Sequence, residues 1–261
     1  MPFTASHAAA ALPFLRTPLI PSAIVVGTVT PDLPYFLPFP TFRGETHSAL
    51  GIITVDLAIG LVVWLAWIAV LRAPLVDLSP EWIRQRMPRS PALPWHGDAR
   101  LSRLGLLVAA ILLGTITHVL WDAPTHPGWL SQNCGWLGGS IGELRVTSLL
   151  QHVSSIGGVL LLAVWTRLWT IRTPRQESEG RVRRGIRHRV WIGVAASGVL
   201  AGIITLIGGI AGGEPVIDGA LTFRIARVGI GVALGVGVAV CAAWHIANRR
   251  RQPERTDTGR F

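Results

Sequence analysis

The chain has 261 residues, half of them hydrophobic and only 15% charged, with a mean hydropathy of +0.47. An ordinary soluble domain is about 25% charged, so this composition argues against a wholly soluble protein and excludes a disordered one. All 24 basic residues are arginine, against 14 acidic residues, giving a net charge of +10 that fits nucleic acid or a membrane surface; where the arginines lie decides between them.

In chain order, the first 48 residues hold two short apolar runs, 8–15 and 19–29, cut by Pro13, Pro18, Pro21, Pro31, Pro34 and Pro38. Each is too short to span a bilayer, so they are expected to form short helices at, or dipping into, one membrane face, with Thr4 or Ser6 capping the first. No basic region precedes the apolar part, so a cleaved signal peptide is not expected.

Five later segments approach the ~20 apolar residues of a spanning helix: 49–71, 104–121, 149–171, 190–211 and 225–247. The expected fold is therefore an all-α polytopic membrane protein. Residues 1–172 would form the site-bearing domain, and 173–261 a glycine-rich two-span hairpin with a basic tail. Gly229, Gly231, Gly235 and Gly237 in the last span allow close helix approach, here within one chain. Cys134 and Cys241 are not expected to bridge, and no phosphate loop or CxxC is present.

The arginines alternate by loop. Arg72, Arg84, Arg86, Arg89, Arg100 and Arg103 separate the first two spans. Arg172, Arg175, Arg181, Arg183, Arg184, Arg187 and Arg189 lie around the third loop, and Arg249, Arg250, Arg251, Arg255 and Arg260 in the tail. Residues 122–148 hold Arg145 alone, and 212–224 hold Arg224 with Glu214 and Asp218, which read as solvated loop carboxylates. The positive-inside rule then places the N-terminus outside and the C-terminus in the cytoplasm of a plasma membrane. The excess charge serves topology and anionic headgroups rather than nucleic acid, because few aromatic residues interleave the arginines for stacking on bases.

That topology gathers the informative polar residues on one face. They are His7, Asp32 in TPDLPY, His47 in RGETHS, His118 and Asp122 in HVLWD, His126 in THPG, and His152 in LLQHVSS. His118 and Asp122, four apart, share a helix face, so an imidazole nitrogen and a carboxylate oxygen can ligate one divalent ion. Pro124 and Pro127 end that helix, so His126 reaches back from a loop. His96, His188 and His245 fall on the arginine side and read as incidental. Asp56 lies at membrane depth off the His47 face; polar packing, for instance against Thr115 or Thr117, or a proton relay both suit it. Arg43 and Arg145 are cations on the site's face, able to clamp a phosphate or to pair with Glu45 or Glu143. Trp121, Trp129 and Trp136 suit headgroup depth.

The segments MPFTASHAAAALP, TPDLPYFLP, THSALGIITVDL, THVLWDAPTHPG and LLQHVSS, in this order, resemble an uncharacterised bacterial membrane family, domain-of-unknown-function family 4184, over about residues 1–172. The order His, Asp, His, His-x-x-x-Asp also resembles predicted inner-membrane metal-dependent hydrolases and, more distantly, the zinc-dependent phospholipase C and single-strand nuclease group. That resemblance implies His7, Asp32, His47, His118 and Asp122 as ligands, His126 for a second ion, and phosphoester hydrolysis. The chain departs from the group in lacking a later His-x-x-x-Glu, since Ile156 stands four residues after His152, and in starting with Met. One or two ions, most simply zinc, are therefore implied, with Asp32 or Asp122 orienting water and Arg43 facing phosphate charge. A lipid-linked substrate is expected; a non-catalytic metal- or lipid-binding protein and a transporter using Asp56 are the alternatives. No oligomeric state is implied.

Overall fold

A computed structural model describes residues 4–37, 43–87, 100–177, 182–215 and 219–249. The described residues are almost entirely helical, and five helices are long and apolar enough to cross a membrane. Each outruns the span read from hydropathy, because helices continue into their polar ends: α3, Ala49–Leu78; α5, Arg100–Asp122; α7, Val146–Arg172; α8, Arg184–Ala211; and α9, Gly219–Arg249. The short helices are α1, Pro21–Val29; α2, Arg43–Thr46; α4, Glu81–Arg84; and α6, Trp129–Asn133. Two-residue strands, β1 Ser140–Ile141 and β2 Leu144–Arg145, pair antiparallel before α7. Arg145 is exposed in that hairpin.

The chain divides into two compact units, the first Met1–Leu65 with Ala92–Pro174 and the second Ala66–Pro91 with Arg175–Phe261. The division falls within α3.

In the first unit, Thr4–Phe14 forms a 3-10 helix, and Pro21, at the start of α1, supplies a helical φ where no N–H bond is needed. Neither expected cap acts as one. The Thr4 hydroxyl instead donates to Asp32 Oδ2 at 2.8 Å, and Ser6 is fully buried. A second 3-10 stretch, Thr30–Phe36, follows α1 directly and carries Asp32 in its first turn. Glycine sets how closely α1 meets α5. A Cβ on Gly27 would stand 2.2 Å from the Ile111 carbonyl oxygen, and one on Gly114 2.2 Å from that of Ile24. Backbones this close need glycine on both helices. Gly158 of α7 does the same for the N-terminal segment, since a Cβ there would lie 2.7 Å from Ser6 Cβ.

In the second unit, α8 and α9 form an antiparallel pair whose close approach is at Gly198 against Gly229, 2.8 Å from an added Cβ to the opposing carbonyl oxygen in each direction. Gly235 and Gly237, expected to share that seam, face open space. Glu214 is not simply solvated: Arg224 Nη2 donates to its two carboxylate oxygens at 2.7 and 2.8 Å. Asp218 lies outside the described residues. His245 also has a structural role. Pro74 lacks the N–H that would serve the Val70 carbonyl, and His245 Nε2 donates to that oxygen at 2.9 Å. The π-helical turn Trp67–Leu71 precedes the proline.

Candidate metal centre

The elements of the first unit bring four predicted residues together. Asp32, His47, His118 and Asp122 each offer a ligand atom, all within 4.8 Å of one another. The imidazoles and carboxylates alternate: His118 Nε2 lies 3.8 Å from Asp32 Oδ1 and 3.6 Å from Asp122 Oδ2, while His47 Nε2 lies 4.0 and 3.8 Å from the same oxygens. Donors around a tetrahedral ion with bonds of about 2.0–2.1 Å would stand about 3.3 Å apart, so the set must contract, by roughly 1.5 Å at most between its farthest donors, to close on one ion.

Each donor is aimed by a local device. His118 is fully buried on α5, and its Nδ1 donates to the Thr28 carbonyl at 2.7 Å. That bond fixes the tautomer and leaves the Nε2 lone pair for the carboxylate side, where Nε2 is buried with no hydrogen-bond partner. The glycine crossing of α1 and α5 is what brings the Thr28 carbonyl within reach. Asp32 has Oδ2 held by Thr4, which turns Oδ1 toward both imidazoles. His47 sits in the tight turn between α2 and α3. There Ser48 Oγ donates to the Glu45 carbonyl at 2.7 Å and accepts from Gly51 N–H at 2.9 Å. Gly51 is required, because a Cβ would stand 1.6 Å from the Glu45 oxygen. Asp122 ends α5 one turn beyond His118.

Two further histidines border this set. His7 Nε2 lies 3.4 Å from Asp122 Oδ1, and its ring packs on His118 with centroids 4.1 Å apart. Its two ring nitrogens are buried without hydrogen-bond partners. His126 folds back as expected, its Nδ1 3.5 Å from Asp122 Oδ2. Asp122 is thus the hub, with an imidazole beside Oδ1 and three around Oδ2. Trp121, expected at headgroup depth, stands edge-on to His7 at 5.9 Å, whereas Trp129 and Trp136 are exposed.

His152 is not among the converging donors. It is exposed on α7, where its Nδ1 lies 2.6 Å from its own helix's Ser148 carbonyl. The side chain of Arg43 lies outside the described part of the structure. Asp56 is fully buried in a π-helical turn, Ile52–Asp56, with both carboxylate oxygens lacking hydrogen-bond partners. The threonines expected beside it donate to backbone instead, Thr115 to Ile111 and Gly27, and Thr117 to Gly114.

The buried core of the centre opens on one side. A pocket of about 740 Å³ is lined by His47, Asp122 and His126 together with Val119, Trp129 and Leu130. Asp32 and His118 lie behind this wall, essentially inaccessible.

Burial, then the nearby imidazoles of His118, His126 and His47, lower the His7 pKa from 6.5 to about 3. The unfolded chain takes up this proton near 6.5 and the folded chain only near 3. Between those values the unfolded state holds more protons, so metal-free protein loses stability as pH falls through that window. Thermal unfolding in detergent and chelator, at stepped pH, reads this. The fall should be steeper for the natural chain than for His7→Gln, and parallel curves for the two would refute it.

These features define a helical protein with membrane-spanning helices and a buried Asp/His cluster able to hold a metal ion. The chain belongs to the family described as domain of unknown function DUF4184, which matches residues 1–244. The match runs beyond the motif-bearing first 172 residues and into the last span. No curated protein and no solved structure matches the chain.

Proposed function

We propose that this chain is a membrane-embedded, metal-dependent hydrolase of a phosphoester or related bond in a lipid-associated substrate, working at the extracytoplasmic face. The observation that carries the reading is the buried Nε2 of His118, without a hydrogen-bond partner and facing two carboxylates, in a centre that opens onto a largely apolar pocket. Hard carboxylate oxygens beside imidazole nitrogens suit zinc or a similar divalent ion. Such an ion, when bound, generates hydroxide near neutral pH and polarises a phosphoryl oxygen.

The chain's own residues divide the remaining work. Asp32, tied to Thr4, positions the centre. Asp122, between His7 and the other imidazoles, would help to hold one or two ions or would take a proton from water at the pocket edge. Val119, Trp129 and Leu130 offer apolar contact for a lipid tail. Arg43, four residues before His47, is the candidate for phosphate charge. The arginine distribution supports an orientation with the N-terminus outside and the C-terminus cytoplasmic.

Metal analysis of the purified protein beside His118→Ala, with phosphoesterase assays on lipid substrates, tests this reading. Stoichiometric metal and activity, both lost in the variant, are expected. Equal, negligible metal in both proteins refutes it, and metal without hydrolysis leaves a binding protein.

Thr4→Val isolates the supporting contact. It keeps shape but removes the donor to Asp32, and the loss of an outer-shell partner typically weakens metal affinity about 10–100-fold. Competition with a chromogenic chelator measures this; unchanged affinity shows the bond to be incidental.

The buried carboxylate of Asp56 favours a second reading, transport, because ionisable groups at membrane depth mark pathways. Proton- or metal-dependent flux in liposomes, abolished by Asp56→Asn, would select it over hydrolysis.

A further inference from the structure

We propose that the second unit carries a separate site for a phosphate-bearing anion, formed by α4 and the first turn of α8. A pocket of about 250 Å³ there is lined by Glu81, Trp82, Arg184, Arg187, His188 and Trp191, among others. Trp191 Nε1 donates to the Leu78 carbonyl at 2.9 Å and ties α8 to the end of α3 on this side.

The charges are arranged against the helix. The first turn of an α-helix exposes unbonded N–H groups and the positive end of the dipole, so acidic residues or a capping oxygen normally sit there. The first turn of α8 has no acidic residue, and its N-cap residue, Arg183, makes no side-chain capping bond. Two guanidinium groups and an imidazole line the pocket instead. A carboxylate also lines the pocket, that of Glu81, and its Oε1 accepts a hydrogen bond from Gln85 Nε2 at 2.9 Å.

Independent of the helix end, Arg187 Nη1 is shielded from solvent and has no hydrogen-bond partner. Shielded guanidinium nitrogens are costly unless they meet an acceptor. A phosphate offers several oxygens to guanidinium forks and to helix N–H groups at once. Such a phosphate could belong to a lipid headgroup or be free in solution, and exposed Trp82 would meet either at the pocket mouth.

The test uses the full chain in nonionic detergent, titrated in one arm with inorganic phosphate and in the other with phosphatidylglycerol against phosphatidylcholine in mixed micelles, with tryptophan fluorescence as readout. Arg187→Gln should weaken the binding at least tenfold, and Arg187→Lys should recover part of it. Binding of both phosphate and phosphatidylglycerol indicates a free-anion site; binding of phosphatidylglycerol alone indicates a headgroup site. If Arg187→Gln does not fold, Arg184→Gln on the same turn takes its place. No binding of either probe, or equal binding by natural and neutralised proteins, overturns the proposal.

Discussion

Asp122→Ala is expected to reduce bound metal to background and to cost more affinity than any other single change at the centre. The reason is its position between all four clustered histidines. Its Oδ1 faces His7 at 3.4 Å, and its Oδ2 faces His126, His118 and His47 at 3.5, 3.6 and 3.8 Å. Removing it takes away one ligand and half of the negative charge among the four converging donors. Loss of a mere supporting partner costs about 10–100-fold, so loss of this ligand should exceed that range. Asp122→Asn separates charge from shape: it retains one oxygen donor and should hold metal weakly. Elemental analysis after dialysis gives the result. His152→Ala is the matched control, because that residue stands apart on α7 and its loss should leave metal content unchanged. Metal retained at natural levels in Asp122→Ala would show that the ion, if any, sits elsewhere.

Much of this centre could be read from spacing and topology. The i, i+4 relation of His118 and Asp122, the proline stop that turns His126 back, and the collection of His7, Asp32 and His47 at one end follow from helix period and arginine placement. Other features depend on contacts distant in sequence. The carbonyl of Thr28 selects the His118 tautomer across 90 residues, and Thr4 orients Asp32 across 28. Single-sequence patterns carry no signal for such pairings. His152 stands apart from the converging donors for a different reason. It shares a membrane end with the others, but sidedness does not fix which way a helix face turns, and His152 lies on an exposed one. In the second unit a glycine series named the helix but not the seam. Gly229 meets a neighbour, whereas Gly235 and Gly237 do not, because contact depends on the rotation of the facing helix. His188 and His245 looked incidental by position, yet one lines a basic pocket and the other serves the carbonyl released by Pro74.

The crossing of α1 and α5 gives the second large effect. Gly114→Val should unfold the first unit or shift it to a loosened state that binds metal poorly. A Cβ at this position would sit 2.2 Å from the Ile24 carbonyl oxygen and 2.9 Å from the Cα of Gly27. Both obstacles are backbone, so no side chain can move aside to make room, and the helices themselves must separate. Overpacking in a close-packed interior costs roughly 1–3 kcal/mol when neighbours can adjust; here the cost should lie at or above the top of that range. Separation has a chemical consequence as well. Thr28 lies one residue beyond Gly27, and as α1 retreats its carbonyl leaves His118 Nδ1. The imidazole then loses the bond that holds its Nε2 toward Asp32 and Asp122. Gly114→Ala tests the graded form, with a smaller loss of melting temperature and a parallel weakening of metal binding. Gly105→Ala is the internal control. It lies on the same helix, its added Cβ would meet nothing within 4 Å, and alanine is favoured over glycine in a helix by up to about 1 kcal/mol. It should leave metal binding alone and hold or raise the melting temperature. If Gly114→Val matched Gly105→Ala in stability and metal affinity, the close crossing would not be what assembles the centre.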